Sequence, residues 1–171
     1  FDHELTIMRT DLSEAKSPII SDLSSTKIVL STLNSKYIHA SLGLRYLYAN
    51  LKELQECCEV KEFVIQTRPL DIVEQILAEK PTIVGFGVYI WNIIETTNVV
   101  SLLKVIAPEV IIVLGGPEVS YESEQQLIVQ SSDYVLTGEA DISFYELCKD
   151  IINDNAPTTK INKSKPVDLK D

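Results

Sequence analysis

The chain has 171 residues, of which 45% are hydrophobic and 23% charged, and its formal net charge is −10. That length suits one domain able to bury a core without disulfides, and the composition excludes a disordered chain. The negative charge argues against nucleic acid or an anionic membrane surface as a partner. Three cysteines, Cys57, Cys58 and Cys148, include an adjacent pair and no C-x-x-C. An odd count of this kind predicts neutral thiols in a reducing compartment and no disulfide framework. The apolar runs are strand-sized, too short to span a membrane. Phe1-Asp2-His3-Glu4-Leu5 lacks the basic flank and apolar core of a signal peptide, so a cytoplasmic protein is expected.

Residues 1–26 show no sustained period and read as an N-terminal extension, with Ser21-Asp22-Leu23-Ser24-Ser25-Thr26 polar throughout. From Lys27 onward, strand-like and helix-like units alternate. Ile28-Val29-Leu30 opens the first strand, and residues 39–55 follow with Leu44, Leu47, Leu51 and Leu54 near helical spacing. Val60 to Ile65 reads as the second strand. Asp71 with Glu74 predicts a capping box. Thr82 to Val88 is the third strand. Asn92 with Glu95 repeats the capping signal, ahead of an apolar face of Val99, Val100, Leu103 and Ile106. Val110-Ile111-Ile112-Val113-Leu114 is apolar at every position, as in a parallel strand buried on both faces. Ser123 with Gln126 predicts a short helix, and Tyr134-Val135-Leu136 the fifth strand. The last helix carries Phe144, Leu147, Cys148, Ile151 and Ile152 on one face.

Five strands alternating with five helices predict a doubly wound, five-stranded parallel sheet in a three-layer α/β/α domain over 27–152. Residues 153–171 contain Pro157 and Pro166, four lysines and no apolar period, and read as a linker.

Ligands of such sheets bind outside the carboxyl ends of the strands. Four loops lie there by prediction. The first offers Asn34, Ser35, Tyr37, His39 and Ser41 at the start of a helix, either as polar ligand contacts or as a capped turn. Tyr89, Trp91 and Asn92 end the third strand, where aromatics can wall a flat ligand or cap the core. Gly115, Gly116, Pro117 and Glu118 follow the most buried strand. Glycine there permits close backbone approach, or simply a tight turn. Gly138 and Glu139 follow the fifth strand with the same two readings.

Several chemistries are excluded. There is no G-x-G-x-x-G after the first strand, no G-x-x-x-x-G-K-[ST] and no G-x-S-x-G elbow. The first and third strands lack the terminal aspartates of a phospho-receiver domain. His39 is the only histidine in the domain body, and at a helix start it reads as a capping or surface residue. No catalytic residue and no metal ligand is assigned.

Taken together, the loops resemble a known family. Residues 31–47, Val84-Gly85-Phe86-Gly87-Val88-Tyr89-Ile90-Trp91-Asn92, Leu114-Gly115-Gly116-Pro117-Glu118-Val119-Ser120 and Asp133-Tyr134-Val135-Leu136-Thr137-Gly138-Glu139-Ala140-Asp141 resemble the N-terminal cobalamin-binding-like domain of radical SAM proteins. That group includes anaerobic magnesium-protoporphyrin IX monomethyl ester cyclase-like enzymes. The resemblance implies a flavodoxin-like (Rossmann-like) sheet with cobalamin over its C-terminal edge. It also implies a radical SAM barrel beyond residues 153–171, holding S-adenosylmethionine and a 4Fe-4S cluster and partnering this domain in methyl transfer or cyclase-type radical chemistry. Two motifs depart from related proteins. The cobalt-ligating D-x-H-x-x-G is absent, since Tyr37 and Leu42 flank His39 at the Asp and Gly positions. The C-x-x-x-C-x-x-C of the cluster is absent as well, so these residues alone cannot cleave S-adenosylmethionine. The other readings are a cofactor-free docking domain, with its pocket filled by Tyr37, Tyr89 or Trp91, and a flavin or nucleotide binder.

Overall fold

Each apolar run becomes a parallel strand because the helix after it carries the chain back to the same edge of the sheet. The computed structural model describes residues 22–35, 41–121 and 125–164. Its strands are β1 (Ile28–Asn34), β2 (Cys58–Val64), β3 (Ile83–Gly87), β4 (Ile111–Gly115), β5 (Tyr134–Thr137) and β6 (Ile161–Lys163). Its helices are α1 (Leu42–Ala49), α2 (Pro69–Ala78), α3 (Ile93–Ile106), α4 (Leu127–Gln130) and α5 (Asp141–Ile152). The strand order is β2-β1-β3-β4-β5-β6, parallel throughout. This is the flavodoxin-like order with one strand added.

The sheet therefore has six strands, not the expected five. β6 lies in the segment read as a linker and extends the sheet past β5 through Val135↔Ile161 and Thr137↔Lys163. Backbone bonds hold it, Val135 N to Lys160 O at 2.9 Å and Ser164 N to Thr137 O at 2.9 Å. A three-residue strand built on main-chain bonds leaves no apolar period to read.

Side chains alternate between two cores. Val29, Leu33, Val84, Phe86, Ile112 and Val135 pack on one face with Ile72 and Ile76 of α2, Val99 and Leu103 of α3, and Ile128 of α4. Ile28, Leu30, Ile83, Val113 and Leu136 pack on the other with Leu44 of α1 and Phe144, Leu147 and Cys148 of α5. The edge strand β2 carries Glu59, Lys61 and Glu62, charges that discourage further pairing.

Four local expectations change. The helix predicted over 39–55 stops at Ala49, and a 3₁₀ helix at Lys52–Cys57 follows, with Lys52 at φ 50°. Leu51 and Leu54 are buried all the same, so the core pattern survives the change of helix type. α2 begins at Pro69 after Arg68, which places Asp71 in the first turn, where its carboxylate pairs with Arg68 at 2.9 Å. α4 starts at Leu127 after Gln126, and Ser123 lies outside the described residues. On α3, Val99, Val100 and Leu103 are fully buried but Ile106 is half-exposed, because the helix ends there.

Candidate functional site

On the α1/α5 face the sheet becomes glycine-rich toward its C-terminal edge. Leu30, Gly85 and Val113 lie in one cross-strand row, and Thr32, Gly87 and Gly115 in the next. Glycines put no side chains into the space beneath α1 and α5, and a cavity of about 320 Å³ is left there. Leu30, Leu44, Leu47, Val113, Leu136 and Phe144 make its walls apolar, while Tyr89, Glu139 and Asp141 also line it. A Cβ on Gly85 would lie 3.0 Å from Leu30 Cδ2 and 3.2 Å from the Phe144 ring, so a larger residue there would fill the floor.

The rim is tied strand to strand. The switch point lies between β1 and β3, and Asn92 sits there, fully buried. Its Nδ2 donates to Leu33 O at 3.0 Å and lies 3.3 Å from both Thr32 Oγ1 and Gly87 O, while its Oδ1 accepts from Tyr89 N at 2.8 Å. Thr32 Oγ1 also donates to Gly87 O at 3.0 Å. Val88 N, just past the end of β3, donates to Gly115 O at the end of β4 at 2.8 Å. Gly116 has φ 114°, and a Cβ there would collide with the Val88 carbonyl oxygen, so this position requires glycine. Tyr89 stacks on half-exposed Trp91 with ring centroids 4.4 Å apart and planes 7° from parallel.

Of the residues expected at the site, the structure gathers Tyr89, Gly115, Gly116, Gly138 and Glu139 around one cavity. Others have different duties. Asn34 Nδ2 donates to Glu62 Oε1 at 3.4 Å, on the β2 side, and Ser35 is exposed beside it. Ser41 caps α1, its Oγ accepting from Leu44 N at 3.4 Å while its own amide donates to Glu62. Trp91 backs Tyr89 and does not line the cavity, and Asn92 is a buried clamp whose polar atoms are engaged by the protein. Pro117 and Glu118 line a separate polar hollow of about 540 Å³ with Tyr121, Gln125 and Gln126. Tyr37 and His39 lie outside the described residues. Gly85, Gly87, Phe144 and Asp141 also line the cavity, though none of them was among the expected site residues. The signal for the first two was present: glycines alternating within an apolar strand mark a face kept open.

Among the described residues, no cluster of His, Cys, Asp and Glu is arranged to hold a metal ion. The three cysteines are buried, and burial pushes the Cys58 thiol up to about 12 and that of Cys148 well above its ordinary value. They are poor nucleophiles in the folded protein. No helix among the described residues is long and apolar enough to cross a membrane.

The family model of the B12 binding domain matches residues 28–148, the span that builds the sheet from β1 to α5. The chain belongs to the B12 binding domain family. Its fold is similar to that of a cobalamin-binding protein from Desulfitobacterium hafniense DCB-2, at TM-score 0.55 and 20% identity, covering 72% of this chain and 57% of that one. It is similar too to the methanol:cobalamin methyltransferase complex MtaBC from Methanosarcina barkeri, at TM-score 0.55 and 16% identity, covering 78% of this chain and 49% of that one. A CheY-like protein, tadZ, from Pseudomonas aeruginosa PAO1 reaches TM-score 0.55 at 12% identity, covering 78% of this chain and 99% of that one. At such identities the likeness is one of fold, and this B12 binding domain spans about half the length of the first two. No curated protein matches the sequence.

Proposed function

We propose that this B12 binding domain holds cobalamin at the C-terminal edge of its sheet, as the cofactor module of a radical SAM enzyme. The observation that carries the reading is the set of glycines in two adjacent cross-strand rows, Gly85 in one and Gly87 with Gly115 in the next, which keeps an apolar cavity of about 320 Å³ open beside the switch point. The residues fit the group. That volume takes a flat apolar portion of a large cofactor, and the rest would spread over the rim loops. Gly115, Gly116 and Gly138 let the backbone approach closely, and Tyr89, held by Trp91, forms a rigid aromatic wall. The Glu139 carboxylate, exposed at the mouth, is an acceptor suited to amide N–H groups. Bound cobalamin supplies a cobalt centre able to carry a methyl group or an electron, and the protein's part is to bind and orient it.

The radical SAM part rests on the four segments quoted above, at the ends of β1, β3, β4 and β5. In this reading S-adenosylmethionine and the 4Fe-4S cluster belong to a barrel outside these residues, which is also the domain's partner. A C-x-x-x-C-x-x-C in the reading frame after Asp171 is the expected finding, and its absence there would remove the assignment. Cobalamin binding is tested by titrating the chain with hydroxocobalamin and following absorbance and co-elution on gel filtration. The expected result is a spectral change with stoichiometric retention. No change and no retention at micromolar concentration would favour the cofactor-free docking domain, a reading that the modest cavity and the position of Tyr89 in its lining support.

A further inference from the structure

We propose that Ser120 is a positioning residue for the cofactor, its hydroxyl joining the two glycine loops that form one wall of the cavity. The proposal rests on the cobalamin reading above. Ser120 Oγ donates to Gly116 O at 2.9 Å and accepts from Gly138 N at 3.2 Å. A hydroxyl has one proton to give and lone pairs to receive, so a single serine serves both glycines at once. Gly116 and Gly138 stand at φ 114° and 81°, and both line the cavity. The register between β4 and β5 ends at Leu114↔Val135. Beyond that pair, the loops after the two strands are linked among the described residues by this hydroxyl.

The bond has a second consequence. The Gly116 carbonyl and the Gly138 amide belong to a wall that is otherwise largely apolar. With Ser120 in place, both polar groups are engaged by the protein. Without it, water can serve them while the cavity is open to solvent, because the Gly138 contact is exposed. A ligand entering the cavity would then strip that water and leave an unpaired donor and acceptor against its apolar face. Loss of the hydroxyl should therefore weaken ligand binding far more than it weakens the free protein. A purely structural serine would show the reverse.

The test is a hydroxocobalamin titration of the whole chain as wild type, Ser120→Ala and Ser120→Thr, with thermal unfolding of each cofactor-free protein. Expected is binding roughly tenfold weaker in Ser120→Ala, with a midpoint within about 2 °C of wild type. Ser120→Thr, which keeps the hydroxyl, should restore the affinity, and the Gly138 amide should exchange with solvent faster in Ser120→Ala alone. If wild type binds and Ser120→Ala binds equally well, this inference falls while the cobalamin reading stands. Unfolding of Ser120→Ala also overturns it, since the tie would then be structural. A wild-type chain that binds no cobalamin brings down both.

Discussion

The two faces of the central strands do different work. On β3, Val84 and Phe86 point into a core closed by α2, α3 and α4, where the packed residues are almost wholly inaccessible. Gly85 and Gly87, one position along, point the other way, toward α1 and α5, and leave a cavity. A strand has a period of two, so neighbouring residues can serve stability on one face and binding on the other without compromise. Only the outer end of the second face is open. Deeper in, Ile28, Ile83 and Cys148 close it as tightly as its counterpart.

This division predicts opposite outcomes for substitutions on the two faces. Leu103→Ala, on the closed face, should cost about 2–5 kcal/mol of stability and leave the cobalamin affinity of the folded fraction unchanged, as measured by denaturant unfolding and titration. Gly85→Val, on the open face, should abolish cobalamin binding. Leu30 and Phe144 must give way to the new side chain, so a stability loss of about 1–3 kcal/mol is expected as well. Binding retained by Gly85→Val would show that the cavity is not used. Asn92→Ala removes the clamp at the seam of β1 and β3, leaving buried partners unpaired at about 1–3 kcal/mol, and should loosen the rim enough to lower affinity too.

The smallest effect lies on the open face but away from the cavity. Tyr145 donates to Glu53 Oε1 at 2.7 Å, with Lys52 and Lys149 over its ring. The hydrogen bond holds the Glu53 carboxyl below its ordinary value of 4.5, while burial and then the Glu53 bond push the Tyr145 phenol up to about 12. A lowered carboxyl stabilises the fold above its unfolded value, and that contribution is lost as pH falls through the folded one. A raised phenol stabilises below its unfolded value of 10, and that contribution is lost as pH rises toward about 12. The stability gap between wild type and Tyr145→Phe should accordingly be flat near neutrality and shrink at both extremes. A gap that grows on acidification would contradict the assignment. Cobalamin affinity should be the same in both proteins at neutral pH.

The legible parts of this molecule are those where one segment carries its own signal. Ile111 to Leu114 reads as a central strand because every position is apolar, and α5 reads as a helix because Phe144, Leu147, Cys148 and Ile151 recur at its period. Tyr89, Gly115, Gly116, Gly138 and Glu139 were accessible because parallel strands deliver their carboxyl ends to one edge. β6 was not, since three residues with a single apolar side chain on the core, Ile161, show no period. The role of Asn92 was hidden as well. Its residue type fits a helix cap, and only the approach of β1 shows that its amide faces inward to Leu33 and Thr32, some sixty positions away in the chain.

Local patterning thus determined the alternation of strands and helices, the parallel sheet and the edge at which a ligand belongs, since periodicity and loop chemistry act over a few residues. The tertiary structure decided which loop residues face a common cavity and which are consumed in holding the rim. A side chain such as Ser120 acquires its role from partners at Gly116 and Gly138, and that pairing exists only once β4 and β5 lie side by side.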